Sequence, residues 1–375
     1  MIPKDVFEQT LLGFFSPVRA FLDDDSVTEI MINGPSRIYV ERRGRIESTS
    51  AKFASGHDLL SALRNLAQYV GRPFDERRPI LEAHMPDGSR VEAVMAPAAT
   101  DGPTVSIRRF YREALTAEKL VAFGTISRDA LALLQALVAG KQNIIVAGGT
   151  ASGKTSLLNV ISSYCDPLER IVVIEDSREL QLQQEHVVHL ESQPGDEKGR
   201  GQITIRKLFQ ASLRMRPDRI VVGEIRGSEA LDLIQAMTSG HGGCMSTVHA
   251  THPADTVSRL ETMALMSDVA LPLHALRAQV ASAVSFILHA TRLPDGGRVV
   301  TSIAEVVGYE PDRGYQIEEL YKSELRREHG KVASRLVPTG FLPRCAPYLE
   351  ALGQRLPAAM LEAAARRRRH AGGAA

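Results

Sequence analysis

The sequence predicts an α/β protein. A larger domain with a mostly parallel sheet follows a smaller α+β domain. Three observations point there. From Asn143 onward, short β-branched runs alternate with helical segments, as in a parallel sheet covered on both faces. Residues 144–164 pass from an apolar strand through a glycine-rich loop into a helix. Before residue 110 the alternation is polar/apolar and is broken by Asn33-Gly34 and Asp87-Gly88, which signals antiparallel hairpins. A chain of 375 residues has room for both domains.

A short leading helix is expected within residues 1–22, from Val6, Leu11, Leu12, Phe15, Val18 and Leu22. Residues 30–32 and 37–41 read as strands joined at Asn33-Gly34. Leu59, Leu63, Leu66, Ala67 and Val70 give helical spacing over 58–70, stopped by Gly71 and Pro73. Strand-and-turn material follows at 80–84, 90–95 and 104–108. Residues 1–110 thus form the first domain, and 111–126 is expected to be a linker. A helix over 127–139 then opens the second domain, residues 127–330. Its strands are expected at 144–147, 171–174, 187–190, 220–222 and 245–248, and its helices at 205–215, 228–238 and 254–266. The turn Pro294-Asp295-Gly296-Gly297 joins two closing antiparallel strands. Residues 331–375 are helix-compatible and end in Arg366-Arg367-Arg368-Arg369, read as a solvated tail.

The loop carries the chemistry. Gly148, Gly149, Thr150, Ala151, Ser152, Gly153, Lys154, Thr155 and Ser156 satisfy the phosphate-loop pattern G-x-x-x-x-G-K-[ST]. Glycines let successive N–H groups point at phosphates, beside a helix N-terminus whose dipole favours anions. Lys154 would reach the β- and γ-phosphates, and the Thr155 hydroxyl would bind Mg²⁺. Ala151 suits the loop if its φ is negative. ATP with Mg²⁺ is the expected substrate pair.

Hydrolysis also needs a group to hold water. Residues 220–222 deliver Glu224 to the carboxyl end of a strand, expected beside the loop. The Asp usual before such a Glu is replaced by Gly223. The strand at 171–174 ends in Glu175 and Asp176, so Glu175 is the candidate substitute towards the metal, with a capping role as its alternative. His241 and His249 bracket one strand in glycine-rich surroundings and are candidate γ-phosphate contacts.

Composition narrows the setting. Net charge +1 selects neither nucleic acid nor membrane, and no direct nucleic-acid binding is expected. Cys165, Cys244 and Cys345 lack C-x-x-C spacing, against a disulfide framework or zinc module. Asp5 and Glu8 lie where a signal peptide would be basic and apolar. The expectation is a cytoplasmic protein with at most peripheral membrane contact.

These boxes, in this order, resemble the secretion-ATPase superfamily of type II and type IV secretion, pilus and archaeal-flagellum motors. The matching stretches are Ile174-Glu175-Asp176-Ser177-Arg178-Glu179-Leu180, Arg214-Met215-Arg216-Pro217-Asp218-Arg219-Ile220 with Gly223-Glu224-Ile225-Arg226-Gly227, and Gly240-His241-Gly242-Gly243 through His249. Within it the chain is most similar to the CpaF/TadA branch of Tad (type IVc, Flp) pili. That likeness rests on Ser258-Arg259-Leu260-Glu261-Thr262-Met263, residues 301–308, and Pro338-Thr339-Gly340-Phe341-Leu342-Pro343. The resemblance implies a RecA-like domain behind the α+β domain, a homo-hexamer, and inner-membrane platform proteins as partners. It also implies that Arg90 and Arg108 are charge clamps on the phosphates, with a surface salt bridge as the alternative for each. A conjugation or type IV secretion channel motor, and a nucleotide-dependent scaffold with little turnover, are the competing readings.

Overall fold

A computed structural model describes residues 4–42, 44–110, 115–193, 195, 200–328 and 331–372. The chain divides into two compact units, Met1–Glu113 and Ala114–Ala375.

The first unit is α+β. Helices α1 (Lys4–Phe14) and α2 (Arg19–Leu22) lead into strands β1 (Val27–Asn33), β2 (Arg37–Arg42) and β3 (Arg45–Ser48). Helix α3 (Gly56–Tyr69) precedes β4 (Ile80–His84), β5 (Arg90–Val94) and β6 (Thr104–Arg108). The six strands form one sheet in the order β3-β2-β1-β6-β5-β4, with every pairing antiparallel. Helix α3 starts where Ser55 accepts the N–H of Asp58, and it buries Leu59, Ala62, Leu63, Leu66 and Ala67 on one stripe. That stripe shares a core with Phe15, Val18, Ile30, Ile32, Ile38, Val91 and Ile107.

The second unit is the RecA-like α/β domain. Helices α4 (Ala117–Ala122) and α5 (Arg128–Ala139) precede β7 (Ile144–Gly148), α6 (Lys154–Ser162), β8 (Ile171–Glu175) and β9 (Val187–Glu191). Next come α7 (Ile205–Ser212), β10 (Arg219–Val222), α8 (Glu229–Thr238), β11 (Met245–His249), α9 (Pro253–Ala264) and α10 (Leu273–Ala283). Strands β12 (Phe286–Arg292), β13 (Arg298–Glu310), β14 (Gly314–Glu328) and β15 (Lys331–Pro338) follow, then α11 (Ala346–Ala351) and α12 (Ala358–Gly372). The sheet order is β15-β14-β13-β12-β7-β11-β10-β8-β9. From β12 to β9 every pairing is parallel, and β13 to β15 are added antiparallel. One core lies under α5, α6, α11 and α12, and the other under α7 to α10. β7, β8 and β10 are buried at every position, which is why their sequences show no polar alternation.

Two expectations are corrected. Residues 115–126 are not a bare tether: they include α4 and send Leu120 and Ile126 into the second unit's core, while 111–114 lie outside the described residues. Nor is 331–375 all helical, because β15 pairs with β14. Helix α12 is docked by its apolar side, while Arg366 to Arg369 are exposed. Met360 and Ala364 are buried, and the Arg367 guanidinium sits 3.2 Å over the Phe341 ring.

Candidate functional site

The loop between β7 and α6 is shaped by close approach. A Cβ on Gly148 would lie 2.3 Å from the Ala290 carbonyl oxygen and 2.5 Å from Ser152 Oγ, so only glycine fits there. The Gly149 carbonyl accepts from Ser152 Oγ at 2.9 Å and from Lys154 Nζ at 3.0 Å. Lys154 opens α6 after Gly153 at the N-cap, with Thr155 next, so the first-turn N–H groups lie at the loop. Ala151 is a correction: its φ is +57°, not negative, so an L-residue occupies a left-handed position.

Strand β11 lies between β7 and β10, so Glu224 is not on the strand beside the loop, as its sequence position suggested. His249 spans the gap. Its Nδ1 lies 3.3 Å from Lys154 Nζ and its Nε2 lies 2.8 Å from Glu224 Oε1. An ammonium can only donate, so Nδ1 is the acceptor and Nε2 carries the hydrogen, while the Nε2–Oε1 approach is a close polar contact without hydrogen-bond alignment. Burial, then the neighbouring Lys154 charge, holds the His249 pKa below its ordinary value, against the opposing pull of Glu224. Glu224 Oε2 accepts from Arg226 Nε at 2.8 Å and Nη2 at 2.5 Å, and Arg226 Nη1 lies 3.5 Å from Asp176 Oδ2. Thr247 Oγ1 donates to the Gly223 carbonyl at 2.8 Å, which pins the turn that carries Glu224.

Glu175 stands over Gly223. A Cβ on Gly223 would meet Glu175 Cγ at 2.9 Å, so the carboxylate from β8 fills the place where the usual Asp of β10 would stand. Its Oε1 accepts the N–H groups of Glu179 and Leu180, both at 2.9 Å, which ties down a non-helical loop rather than capping a helix. Oε2 is left, with His189 Nδ1 at 3.9 Å. The Thr155 hydroxyl and the Glu175 carboxylate oxygen are hard-oxygen donors of the kind Mg²⁺ takes, though they start from strands three places apart in the sheet.

The two histidines part company. In the parallel register His249 is level with Gly148, whereas His241 lies before Met245, which is level with Ile144. The length of β11 from Met245 to His249 is about 13 Å, at ~3.3 Å per residue. His241 therefore precedes the strand end opposite the loop in its own chain, and the reading of both histidines at one site is corrected.

In the first unit Arg90 and Arg108 are directly opposed on β5 and β6, and Arg108 also faces Glu29 on β1. One cross-strand row thus runs His84, Arg90, Arg108, Glu29, Glu41. Burial, then the Glu41 charge, raises the Glu29 pKa, while Arg108 opposes the shift. Adjacent like charges on a sheet are costly, and Glu29 on the far side of Arg108 offsets part of that cost.

Sequence reasoning gave no role to Arg226 or Arg298. The first was legible as the arginine two residues after Glu224. The second was not, because its contact to the loop spans 147 residues of sequence.

A family model described as "Type II/IV secretion system protein" matches residues 14–307. A putative conjugal transfer protein of Mycobacterium tuberculosis (strain ATCC 25618 / H37Rv) is 34% identical over 303 residues, covering 79% of this chain and 85% of the relative. The type IV secretion system protein PtlH homolog of Bordetella bronchiseptica is 33% identical over 301 residues, covering 72% of this chain and 86% of the relative. The X-ray structure of the Legionella pneumophila ATPase DotB shares the fold, with a TM-score of 0.54, 19% identity and 82% of both chains covered. Matched over most of its length by both model and relatives, the chain belongs to the type II/IV secretion system protein family.

Proposed function

We propose that this protein is an ATP-hydrolysing motor of that family, working as a homo-hexamer at the cytoplasmic face of the inner membrane. It drives assembly or retraction of a Tad-type pilus through platform proteins. One observation carries the enzymatic reading: a continuous polar path runs from Lys154 through His249 to Glu224. It joins the group that would hold the γ-phosphate to the carboxylate that would orient the attacking water. Arg90 and Arg108 are proposed as the phosphate clamps. Magnesium would be held by Thr155 Oγ1 and, through water, Glu175 Oε2, and would neutralise charge on the transferring phosphoryl group.

The Tad assignment is supported by the stretches at 258–263, 301–308 and 338–343. A second reading, a conjugation or type IV secretion channel motor, is favoured by the names of the relatives at 34% and 33% identity. One allele tests both levels. Purified Lys154→Ala should lose at least about 100-fold of ATP turnover, while Glu224→Gln binds ATP but turns over slowly. Wild-type turnover in Lys154→Ala defeats the enzymatic reading. In cells the Lys154→Ala allele should abolish surface pili. Intact pili with lost DNA or protein transfer transfers the case to the second reading.

A further inference from the structure

We propose that Arg298 is a positioning residue for the phosphate loop, holding Ala151 in its left-handed conformation. Alanine adopts φ near +57° at a cost that glycine does not bear, so something in the surroundings must over-determine it. The Arg298 Nε–H donates to the Ala151 carbonyl oxygen at 3.0 Å. The arginine stem lies along the loop, with Cδ 3.2 Å from where a Cβ on Gly153 would stand.

The anchor is well placed to be rigid. Arg298 opens β13 directly after the turn that follows β12, and β12 is registered on β7 with Ala290 level with Gly148. Strand β12, paired on one side to the strand that feeds the loop, therefore fixes the base of the arginine on the other. Arg298 also faces Arg292 across the hairpin, an opposition of like charges that a neutral residue would avoid. Planar geometry lets guanidinium aim one N–H at a carbonyl and keep its other donors for further acceptors, which an ammonium does less well. Arg298 thus couples the antiparallel hairpin to the loop and presets the loop's shape before ligand arrives.

The inference rests on the reading that residues 148–155 bind nucleotide. Its test is a double-mutant cycle on the full chain, read by titration with a fluorescent ADP analogue. Arg298→Ala should weaken binding about tenfold when Ala151 is present. The same change in the A151G background should cost under about twofold, because glycine needs no tether. Arg298→Lys should fall between. Hydrogen exchange of the ligand-free chain should show faster exchange over 148–155 in Arg298→Ala than in wild type. An undiminished tenfold loss in the A151G background overturns the positioning role in favour of direct ligand contact. Unchanged affinity or unchanged exchange in Arg298→Ala overturns it outright. If wild type and Lys154→Ala both fail to bind the analogue, the nucleotide reading fails, and the exchange measurement still decides the tether.

Discussion

Gly223 and Glu175 show how one site residue can be moved to another strand without losing its place. The usual Asp at the end of β10 is replaced by a glycine because the Glu175 side chain from β8 already lies there, 2.9 Å from any added Cβ. Adding even a methyl group would press on a buried carboxylate whose Oε1 is fixed by two backbone N–H groups. Gly223→Ala should therefore destabilise the chain by about 1–3 kcal/mol through overpacking. In a Glu175→Ala background the same change should cost less than about 0.5 kcal/mol, since the clash is gone. Urea denaturation of the four proteins measures both. A Gly223→Ala change that is neutral in the presence of Glu175 would show that the carboxylate yields freely and is not held over β10.

At the scale of elements, burial decides what could be read in advance. Strands β7, β8 and β10 are buried on both faces, so their unbroken Ile/Val runs identified them without a structure. The phosphate loop was legible because its residues are contiguous. Strand direction was not: His241 and His249 look paired along the chain, and only the parallel register puts them at opposite strand ends. Strand β15 was missed because its Lys, Ala, Arg and Leu suit a helix, and pairing with β14 overrides that propensity. The φ of Ala151 and its bond to Arg298 depend on a hairpin register that no local pattern encodes. Helix α12 gives the sharpest contrast between the two levels. Its arginine run is exposed, as the charge run suggested, yet Met360 is 0% exposed against the α5 and α6 side of the core. Met360→Ala should cost about 2–4 kcal/mol in urea denaturation. A loss below about 0.5 kcal/mol would return the helix to the status of a tail.

For the whole molecule, the two units have separate cores: the first buries Phe15, Ile30 and Leu63, and the second has a core on each face of its nine-stranded sheet. The loop, Lys154, His249 and Glu224 all belong to the second unit, whereas Arg90 and Arg108 belong to the first. Binding and turnover should therefore separate. A fragment of residues 115–375 has the complete phosphate loop and should fold and bind nucleotide within about threefold of the full chain. It lacks the proposed clamps, and removing a preorganised charge from a transferring phosphoryl group costs roughly 100- to 1,000-fold in turnover. Full-length Arg90→Ala/Arg108→Ala should lose turnover to a similar degree while keeping nucleotide affinity and the unfolding midpoint. Loss in the fragment alone would mean that the first unit supports turnover by some route other than these arginines. Equal turnover in the fragment and the full chain would remove the first unit, and with it the Arg90–Arg108 pair, from the reaction.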